Sequence, residues 1–310
     1  MDEFTRINKF FAPLAGEAGL ELKDDAAVLA PPPGRLLVLT VDQMLEGVHF
    51  LTGDDPALIA RKLLRRNLSD LAAMGAVPLG YLLTIALPPS LPEEWLAGFV
   101  SGLEADQRQF GISLLGGDSS SSLRDIGLTA TLIGHVAPGQ ALRRNGAQAG
   151  DEIWVTGTIG DAVLGLEARR GRLADPTGFL TRRSMLPNPR VGLALAGIAN
   201  AAIDISDGLM QDLGHVCQAS GLAAVIQANL VPISPEAAAQ GPGIMELRLT
   251  GGDDYELLLA VPPEKAEALR AACTGIKITR IGVFQPGDGI ELLGDGGAMF
   301  NLATSGWKHF

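Results

Sequence analysis

The sequence predicts two domains of layered α/β and α+β architecture. With 310 residues and 47% hydrophobic content, the chain can bury at least one full-sized core, and typical domain sizes favour two domains. Strand-like apolar runs alternate with amphipathic helical segments throughout, and glycines stand at the junctions, as in layered α/β proteins. The segment 138–151, rich in Gly, Gln and Arg, is the best candidate linker, and the run 152–156 that follows it is predicted to be a strand. We therefore predict an N-terminal domain over 1–137 and a C-terminal domain over 150–310.

The charge balance argues against a nucleic-acid partner. The formal net charge is −11, so no basic surplus exists to displace the counterions of a phosphate backbone. An acidic protein still binds phosphates where divalent cations bridge the two. No stretch approaches the roughly 20 uncharged apolar residues of a membrane-spanning helix, and the first segment has acidic residues where a signal peptide would be basic. We expect a cytoplasmic protein without a membrane partner.

One helix is unusually well marked, over 56–74. Asp54 and Asp55 supply N-cap chemistry before it, Pro56 suits its first turn, and Gly75 and Pro78 follow its last turn. Asn67 and Asp70 fall within its apolar stripe, where a carboxylate must be ion-paired, neutralised or bound to metal. Asp70 is therefore either one partner of a structural ion pair or a metal ligand. The apolar face is Ile59, Leu63, Leu71 and Met74, and the opposite face is Arg61, Lys62, Arg65 and Ser69.

Carboxylates recur at the ends of predicted strands, where side chains from distant parts of the chain converge. Taken singly, each is better explained as a turn or cap residue, but their joint placement favours a shared site. Thr40 projects to the same side of its strand as Asp42. The carboxylates are Asp24 and Asp25 before the run 26–29, Asp42 after 36–41, Asp118 after 112–115, and Asp204 and Asp207 after 201–203.

Such a set of hard oxygen ligands suits Mg²⁺, which takes one or two carboxylates per ion and completes its shell with water and substrate phosphates. Several ions are therefore expected. Zinc is disfavoured, because the four histidines show no paired ligand spacing. Cys217 and Cys273 lack a CxxC spacing and are predicted to be reduced core thiols. Two-metal hydrolysis remains an alternative at this point.

Common nucleotide-binding fingerprints are missing from the sequence. It contains neither GxxxxGK[ST] nor GxGxxG, and the HRD and DFG motifs of protein kinases are absent as well. The glycine-containing turn 156–161 leads into a predicted helix. Either its backbone amides bind an anion, or the segment is a plain tight turn.

A series of motifs, in order along nearly the whole chain, resembles the thiamine-monophosphate kinase family. Single motifs such as GGD would mean little, but the complete series in register is specific. The segments are DDAAV at 24–28, TVDQMLEGVHF at 40–50, NLSDLAAMGA at 67–76, LLGGD at 114–118, RRNGAQAGD at 143–151, VTGTIGD at 155–161, AIDISDGL at 202–209 and GGDDYEL at 251–257.

The resemblance implies a fold, an assembly and a reaction. The fold is that of aminoimidazole ribonucleotide synthetase, with an N-terminal domain that binds ATP and magnesium and pairs its sheet with that of a second subunit in a homodimer. The C-terminal domain is implied to be α+β. The reaction transfers a phosphoryl group from ATP to thiamine monophosphate, which gives thiamine diphosphate and ADP.

The resemblance also implies roles for individual residues. His49 and Asp253 match substrate-contacting positions, although Glu is usual at the latter, and Val41 stands where some members carry Ser. Gly117, Arg144 and Ser206 match ATP-contacting positions, and Asn145 stands where Ser is common. The magnesium-binding positions are Asp25, Thr40, Val41 through its backbone oxygen, Asp42, Asp70, Asp118, Asp204 and Asp207, of which Asp42, Asp70 and Asp207, with Arg144, form the expected catalytic set.

The residue chemistry agrees with direct phosphoryl transfer. Positioning and charge neutralisation suffice, and Arg144 is the best candidate to bind phosphate oxygens. Trp307 either stacks on the cationic thiamine rings or packs on its own domain. Two alternatives remain: another superfamily member, such as aminoimidazole ribonucleotide synthetase or selenophosphate synthetase, and a non-catalytic regulator that binds magnesium and nucleotide. The absence of a reactive Cys before Asp24 disfavours selenophosphate synthetase.

Overall fold

The computed structural model describes residues 3–300, 302 and 306 of the chain. These residues fall into two units, Met1–Leu71 with Ala76–Gly139, and Ala72–Gly75 with Gln140–Phe310. The strands are β1 Leu36–Leu45, β2 Val77–Leu87, β3 Ser113–Ser121, β4 Gly127–Val136, β5 Glu152–Thr156, β6 Ala201–Asp204, β7 Leu222–Gln227, β8 Leu257–Val261, β9 Ile278–Pro286 and β10 Ile290–Leu293. The α-helices are α1 Glu3–Arg6, α2 Pro56–Ala73, α3 Glu93–Phe110, α4 Asp161–Arg169, α5 Phe179–Met185, α6 Leu209–Ser220, α7 Pro235–Ala238, α8 Met245–Thr250 and α9 Ala266–Ala272.

The first unit contains a four-stranded sheet in the order β1-β4-β2-β3. The pairs β1–β4 and β4–β2 are antiparallel, whereas β2–β3 is parallel. Burial alternates along β1: Val38, Thr40 and Asp42 are half-buried, whereas Leu39 and Val41 are exposed. Thr40 and Asp42 therefore share a face, as the period-two rule predicts.

The helix predicted over 56–74 is α2, which begins at Pro56 and ends at Ala73. The carboxylate of Asp55 accepts a hydrogen bond from the Ala57 amide at 2.8 Å, as an N-cap residue does. The helix stops where Gly75 adopts a left-handed φ of 67°, which glycine tolerates without strain. Both ends of this helix are thus confirmed to within one residue.

The polar face of α2 is buried rather than solvated. Asp106 on α3 is fully buried and accepts hydrogen bonds from Arg65 Nε at 2.7 Å and Nη2 at 2.9 Å, and from Arg61 Nε at 2.8 Å. The two arginines are held because a buried carboxylate needs a partner charge. The sequence alone does not show this, because Asp106 lies 41 residues from Arg65.

The second unit is built on a six-stranded sheet in the order β10-β7-β9-β5-β8-β6. Ile153 and Val155 of β5 pack in one core with Leu213 of α6, whereas Trp154 packs in another core with Leu269 of α9. Because successive strand residues point to opposite faces, both faces of this sheet are covered. Both faces of β5 are therefore apolar, and its bounds agree with the predicted strand 152–156.

The end of α6 and the surroundings of the two cysteines follow local sequence signals. Helix α6 starts at Leu209 and ends before Gly221, which has a left-handed φ of 66°. Cys217 and Cys273 are free and buried. No helix of the described chain combines the length and the apolar character needed to cross a membrane.

Candidate active site

In the first unit, strand β1 and helix α2 bring three of the predicted ligands together. The Thr40 hydroxyl donates a hydrogen bond to Asp70 Oδ2 at 2.5 Å, so the carboxylate that fell in the apolar stripe of α2 faces the polar residues of β1. Asp42 lies two residues further along the same face, and its Oδ1 is 3.5 Å from Arg66 Nη2. Arg66 was missed from the sequence, although its position four residues before Asp70 places both on one side of α2.

A second group in the first unit surrounds a cavity of about 710 Å³. Asp25, Gly117 and Asp118 all line it. Gly117 has a structural reason to lack a side chain, because a Cβ there would lie 1.8 Å from the Leu83 carbonyl oxygen. Strand β3 can therefore approach β2 closely enough to place Asp118 beside the cavity. Within the described chain, Asp42 and Asp70 are not among the residues that line this cavity.

His49 follows β1 and is held by that strand's end. Its Nδ1 accepts a hydrogen bond from the Leu45 amide at 3.0 Å. A nitrogen that accepts carries no proton, so a neutral His49 has its proton on Nε2. The Lys62 ammonium donates to the His49 carbonyl oxygen at 3.3 Å, which fixes the backbone of the same residue.

In the second unit, strand β6 ends at Asp204, which is buried, and the following turn carries Ser206 and Asp207. Asp212, in the first turn of α6, accepts hydrogen bonds from the amides of Ser206 and Asp207, both at 3.0 Å. Gln211 Nε2 donates to Asp207 Oδ2 at 3.0 Å. The turn with both predicted functional residues is therefore held from the helix that follows it.

The sequence analysis did not identify Asp212 as a functional residue. An acidic side chain in the first turn of a helix that follows a predicted site is the pattern that could have indicated it. Burial raises its pKa to about 7, the nearby Asp207 carboxylate acts in the same direction, and Arg144 opposes the shift. Arg144 is thus within electrostatic reach of this turn. Asp207, Asp212 and His215 each offer one atom that could ligate a metal, and these three atoms lie within 4.8 Å of one another.

The end of the glycine turn at 156–161 and the first turn of α4 donate backbone amides to the protein itself. Asp254, which is fully buried, accepts hydrogen bonds from the Gly160 amide at 2.6 Å and the Ala162 amide at 3.2 Å. The Asp254 carboxyl group thus occupies these two amides, which the sequence left open to an external anion. It caps α4, whose N-terminal amides have no partner within the helix.

Asp253 lies in the neighbouring GGDDYEL segment with an unusual backbone. Its φ is 72° and that of Tyr255 is 52°, a left-handed region that costs non-glycine residues energy. The Tyr255 hydroxyl donates to Asp253 Oδ1 at 2.8 Å. Trp307, the other predicted substrate contact, lies outside the described residues.

Models of two consecutive domains of one protein family match the chain. The model of the AIR synthase related protein, N-terminal domain, matches residues 23–136, and that of the C-terminal domain matches 148–295. The thiamine-monophosphate kinase of Caulobacter vibrioides is 42% identical over 319 residues, which cover 99% of this chain and 90% of the relative. The chain belongs to the thiamine-monophosphate kinase family. The resemblance and fold class inferred from the motifs are thereby confirmed.

Solved structures of the family agree with this assignment. The thiamine-monophosphate kinase of Stenotrophomonas maltophilia superimposes with a TM-score of 0.81 at 40% identity, covering 89% of this chain and 91% of that one. The structure of AaThiL complexed with AMPPCP and TMP superimposes with a TM-score of 0.80 at 31% identity, covering 99% and 97%. The match therefore extends over nearly the whole of both chains.

Proposed function

We propose that this chain phosphorylates thiamine monophosphate with ATP, yielding thiamine diphosphate and ADP. The observation that carries the proposal is the 42% identity to a thiamine-monophosphate kinase over nearly the full length of both chains. Thr40 and Asp70, which belong to two different motifs of the series, are hydrogen-bonded to each other in the first unit, and this contact supports the proposal. The related AaThiL, whose structure was solved with AMPPCP and TMP, supports the same pair of substrates.

The proposal includes several magnesium ions. Thr40, Asp42 and Asp70 offer only oxygen donors, as Mg²⁺ prefers, and Arg66 already faces Asp42 as a compensating cation. The residues present therefore fit the ion. We assign Asp25, Thr40, Asp42, Asp70, Asp118, Asp204 and Asp207 as side-chain ligands, with Val41 contributing its carbonyl oxygen. Bound magnesium supplies charge neutralisation for the phosphates.

No nucleophilic side chain is needed, because the attacking phosphate oxygen of the acceptor is already ionised near neutral pH. The work of the protein is to align donor and acceptor and to balance negative charge. Arg144 binds phosphate oxygens with its guanidinium. Gly117 and Ser206 bind the nucleotide, and Gly117 lies in the wall of the cavity. Asp42, Asp70 and Asp207 are the carboxylates on which turnover depends.

Recognition of the organic part of the acceptor falls to residues outside the carboxylate set. His49 presents Nε2–H as a hydrogen-bond donor, because Nδ1 is already occupied by the Leu45 amide. Asp253 presents a carboxylate to a cationic heterocycle. Trp307 is assigned to stacking on its rings. Because magnesium positions only phosphates, these residues distinguish thiamine monophosphate from the acceptors of other superfamily members.

We further propose that the chain acts as a cytoplasmic homodimer. One face of the first unit's sheet is apolar and exposed: Leu39 is 63% and Val41 61% accessible on the edge strand β1, and Leu82 of β2 is 38% accessible. Antiparallel sheets that face water are normally polar on that side, and a contiguous apolar face marks an interaction surface. A second copy of the same face covers it in a two-fold arrangement. The free thiols and the need for ATP favour the cytoplasm.

The test is an acceptor panel with purified, magnesium-replete protein. ADP release is followed with thiamine monophosphate, thiamine, formylglycinamidine ribonucleotide or selenide as acceptor. We expect ADP release with thiamine monophosphate alone, matched by thiamine diphosphate formation. Turnover with formylglycinamidine ribonucleotide and none with thiamine monophosphate would replace this function with that of aminoimidazole ribonucleotide synthetase.

A further inference from the structure

The loops at 205–209 and 251–256 are joined backbone to backbone. The Asp253 amide donates to the Ser206 carbonyl, and the Tyr255 amide donates to the Ile205 carbonyl, both at 2.8 Å. Gly252 permits this approach, because a Cβ there would lie 2.3 Å from the Ser206 carbonyl oxygen. A residue assigned to nucleotide binding and one assigned to the acceptor are thus parts of one rigid connection.

The same segment is anchored on its inner side by two buried carboxylates. Asp254 caps the start of α4. Glu256, 1% accessible, receives Arg190 Nε and Nη2 at 2.6 Å each and the Thr156 hydroxyl at 2.7 Å. Bidentate arginine pairs of this kind are directional and strong. The backbone on both sides of Tyr255 is therefore fixed, and little freedom remains for that side chain.

Tyr255 is 2% accessible, and its hydroxyl donates to Asp253 Oδ1 at 2.8 Å. Both residues have left-handed backbone conformations, with φ of 52° and 72°. Side chains on such a turn would otherwise rotate, and a buried phenol that reaches the carboxylate holds it in one orientation. Backbone strain of this type persists where the surroundings enforce it and is concentrated at binding sites.

We propose that Tyr255 is a positioning residue for acceptor recognition: its hydroxyl orients the Asp253 carboxylate toward the cationic part of the substrate. This inference rests on the proposed function. The short Asp253 side chain makes the contact important, because a carboxylate one methylene shorter than Glu has to be held in place to meet its ligand. A preoriented acceptor group binds more tightly, since less side-chain freedom is lost on binding.

The primary test is Tyr255→Phe, which removes one oxygen and keeps the ring. Loss of a hydrogen bond to a charged group is expected to raise the KM for thiamine monophosphate about five- to tenfold, with the KM for ATP unchanged. Tyr81→Phe is the matched control, because Tyr81 is also buried and its hydroxyl accepts one hydrogen bond from Gln107 at 3.0 Å. The control is expected to leave both KM values unchanged.

A double-mutant cycle separates positioning from general structure. If Tyr255 acts through Asp253, Tyr255→Phe has no further effect on the KM for thiamine monophosphate in an Asp253→Ala background. A full effect in that background, an equal rise in both KM values, or no rise at all would overturn the proposal. Wild-type protein that fails to phosphorylate thiamine monophosphate would instead refute the proposed function, so the two failures are distinguishable.

A second measurement does not depend on Tyr255→Phe being folded. The sequence has two tyrosines, so Tyr81→Phe protein grown with 3-fluorotyrosine carries its label at Tyr255 alone. We expect its ¹⁹F resonance to shift when thiamine monophosphate is added and to remain in place when ADP is added. A resonance that ignores thiamine monophosphate in an enzyme that turns it over would contradict the role of Tyr255.

Discussion

Asp70 lies on α2, whereas Asp106 contacts α2 from α3, and the two carboxylates are predicted to respond in opposite ways to the same substitution. Asp70 accepts the Thr40 hydroxyl beside Asp42, whereas Asp106 is fully buried between Arg61 and Arg65. Asp→Asn at each position removes one negative charge with almost no change of volume. Comparing the two variants therefore separates a ligand from a structural ion pair.

For Asp70→Asn, we expect turnover to fall by more than about tenfold, since a lost metal ligand costs at least as much as a lost supporting residue. The fold should survive, because the amide oxygen can still accept the Thr40 hydroxyl. Removing one of two neighbouring carboxylates also relieves repulsion in the metal-free protein. Its melting temperature should therefore stay the same or rise.

For Asp106→Asn, Arg61 and Arg65 lose the carboxylate that they share, while the guanidinium of Arg65 stays buried. Breaking a buried pair costs about 3–5 kcal/mol, which corresponds to a fall of roughly 10 °C in melting temperature. Specific activity per folded molecule should be retained. Thermal denaturation and steady-state kinetics on both variants provide the measurement. An Asp70→Asn protein that unfolds while its folded fraction keeps full activity would show that Asp70 is the structural pair.

Three further predictions follow from charge and burial. Activity should require magnesium in the millimolar range with a sigmoidal dependence, because several weak sites fill together, and full activity after exhaustive chelation would contradict this. Burial raises the pKa of Asp254 to about 8. Between about pH 5 and about pH 7 the folded protein therefore keeps a proton on Asp254 that the unfolded chain has lost. The unfolding free energy should fall by about 1 kcal/mol for each unit by which the pH rises in this range. Asp254→Asn should flatten this slope in denaturation at a series of pH values, and an unchanged slope would exclude Asp254 as its source. Leu39→Glu should convert a dimer into monomers in sedimentation analysis. The control Leu123→Glu, at a fully exposed loop position, should leave the dimer intact. A dimer that persists in the Leu39→Glu variant would place the interface elsewhere.

Sequence patterns predicted those parts of the fold that depend on local signals. The ends of α2 follow from Asp55 and Gly75, and β5 was bounded correctly because its apolar run stands between polar turns. The inward turn of Asp70 followed from helical periodicity alone. Its partner Thr40 lies 30 residues away, yet it shares a strand face with Asp42, and the period-two rule places it there.

The remaining features depend on long-range pairing. Asp254 caps a helix 92 residues earlier in the chain, and Glu256 meets Thr156 at a separation of 100 residues, so neither role has a local signature. The polar face of α2 is buried because Asp106 arrives on another helix. No local signal indicates that the Tyr255 hydroxyl reaches Asp253, because this contact accompanies a left-handed backbone at both residues. In each case the partner is chosen by the fold rather than by neighbouring residues.

We propose direct transfer of one phosphoryl group from ATP to the phosphate of thiamine monophosphate. It is tested by incubating the magnesium-replete protein with γ-³²P-labelled ATP and thiamine monophosphate, then quantifying label in each product and on the protein. We predict label in thiamine diphosphate in a one-to-one ratio with ADP and none bound covalently to the protein. Label released as inorganic phosphate, or retained on the chain, would contradict direct transfer.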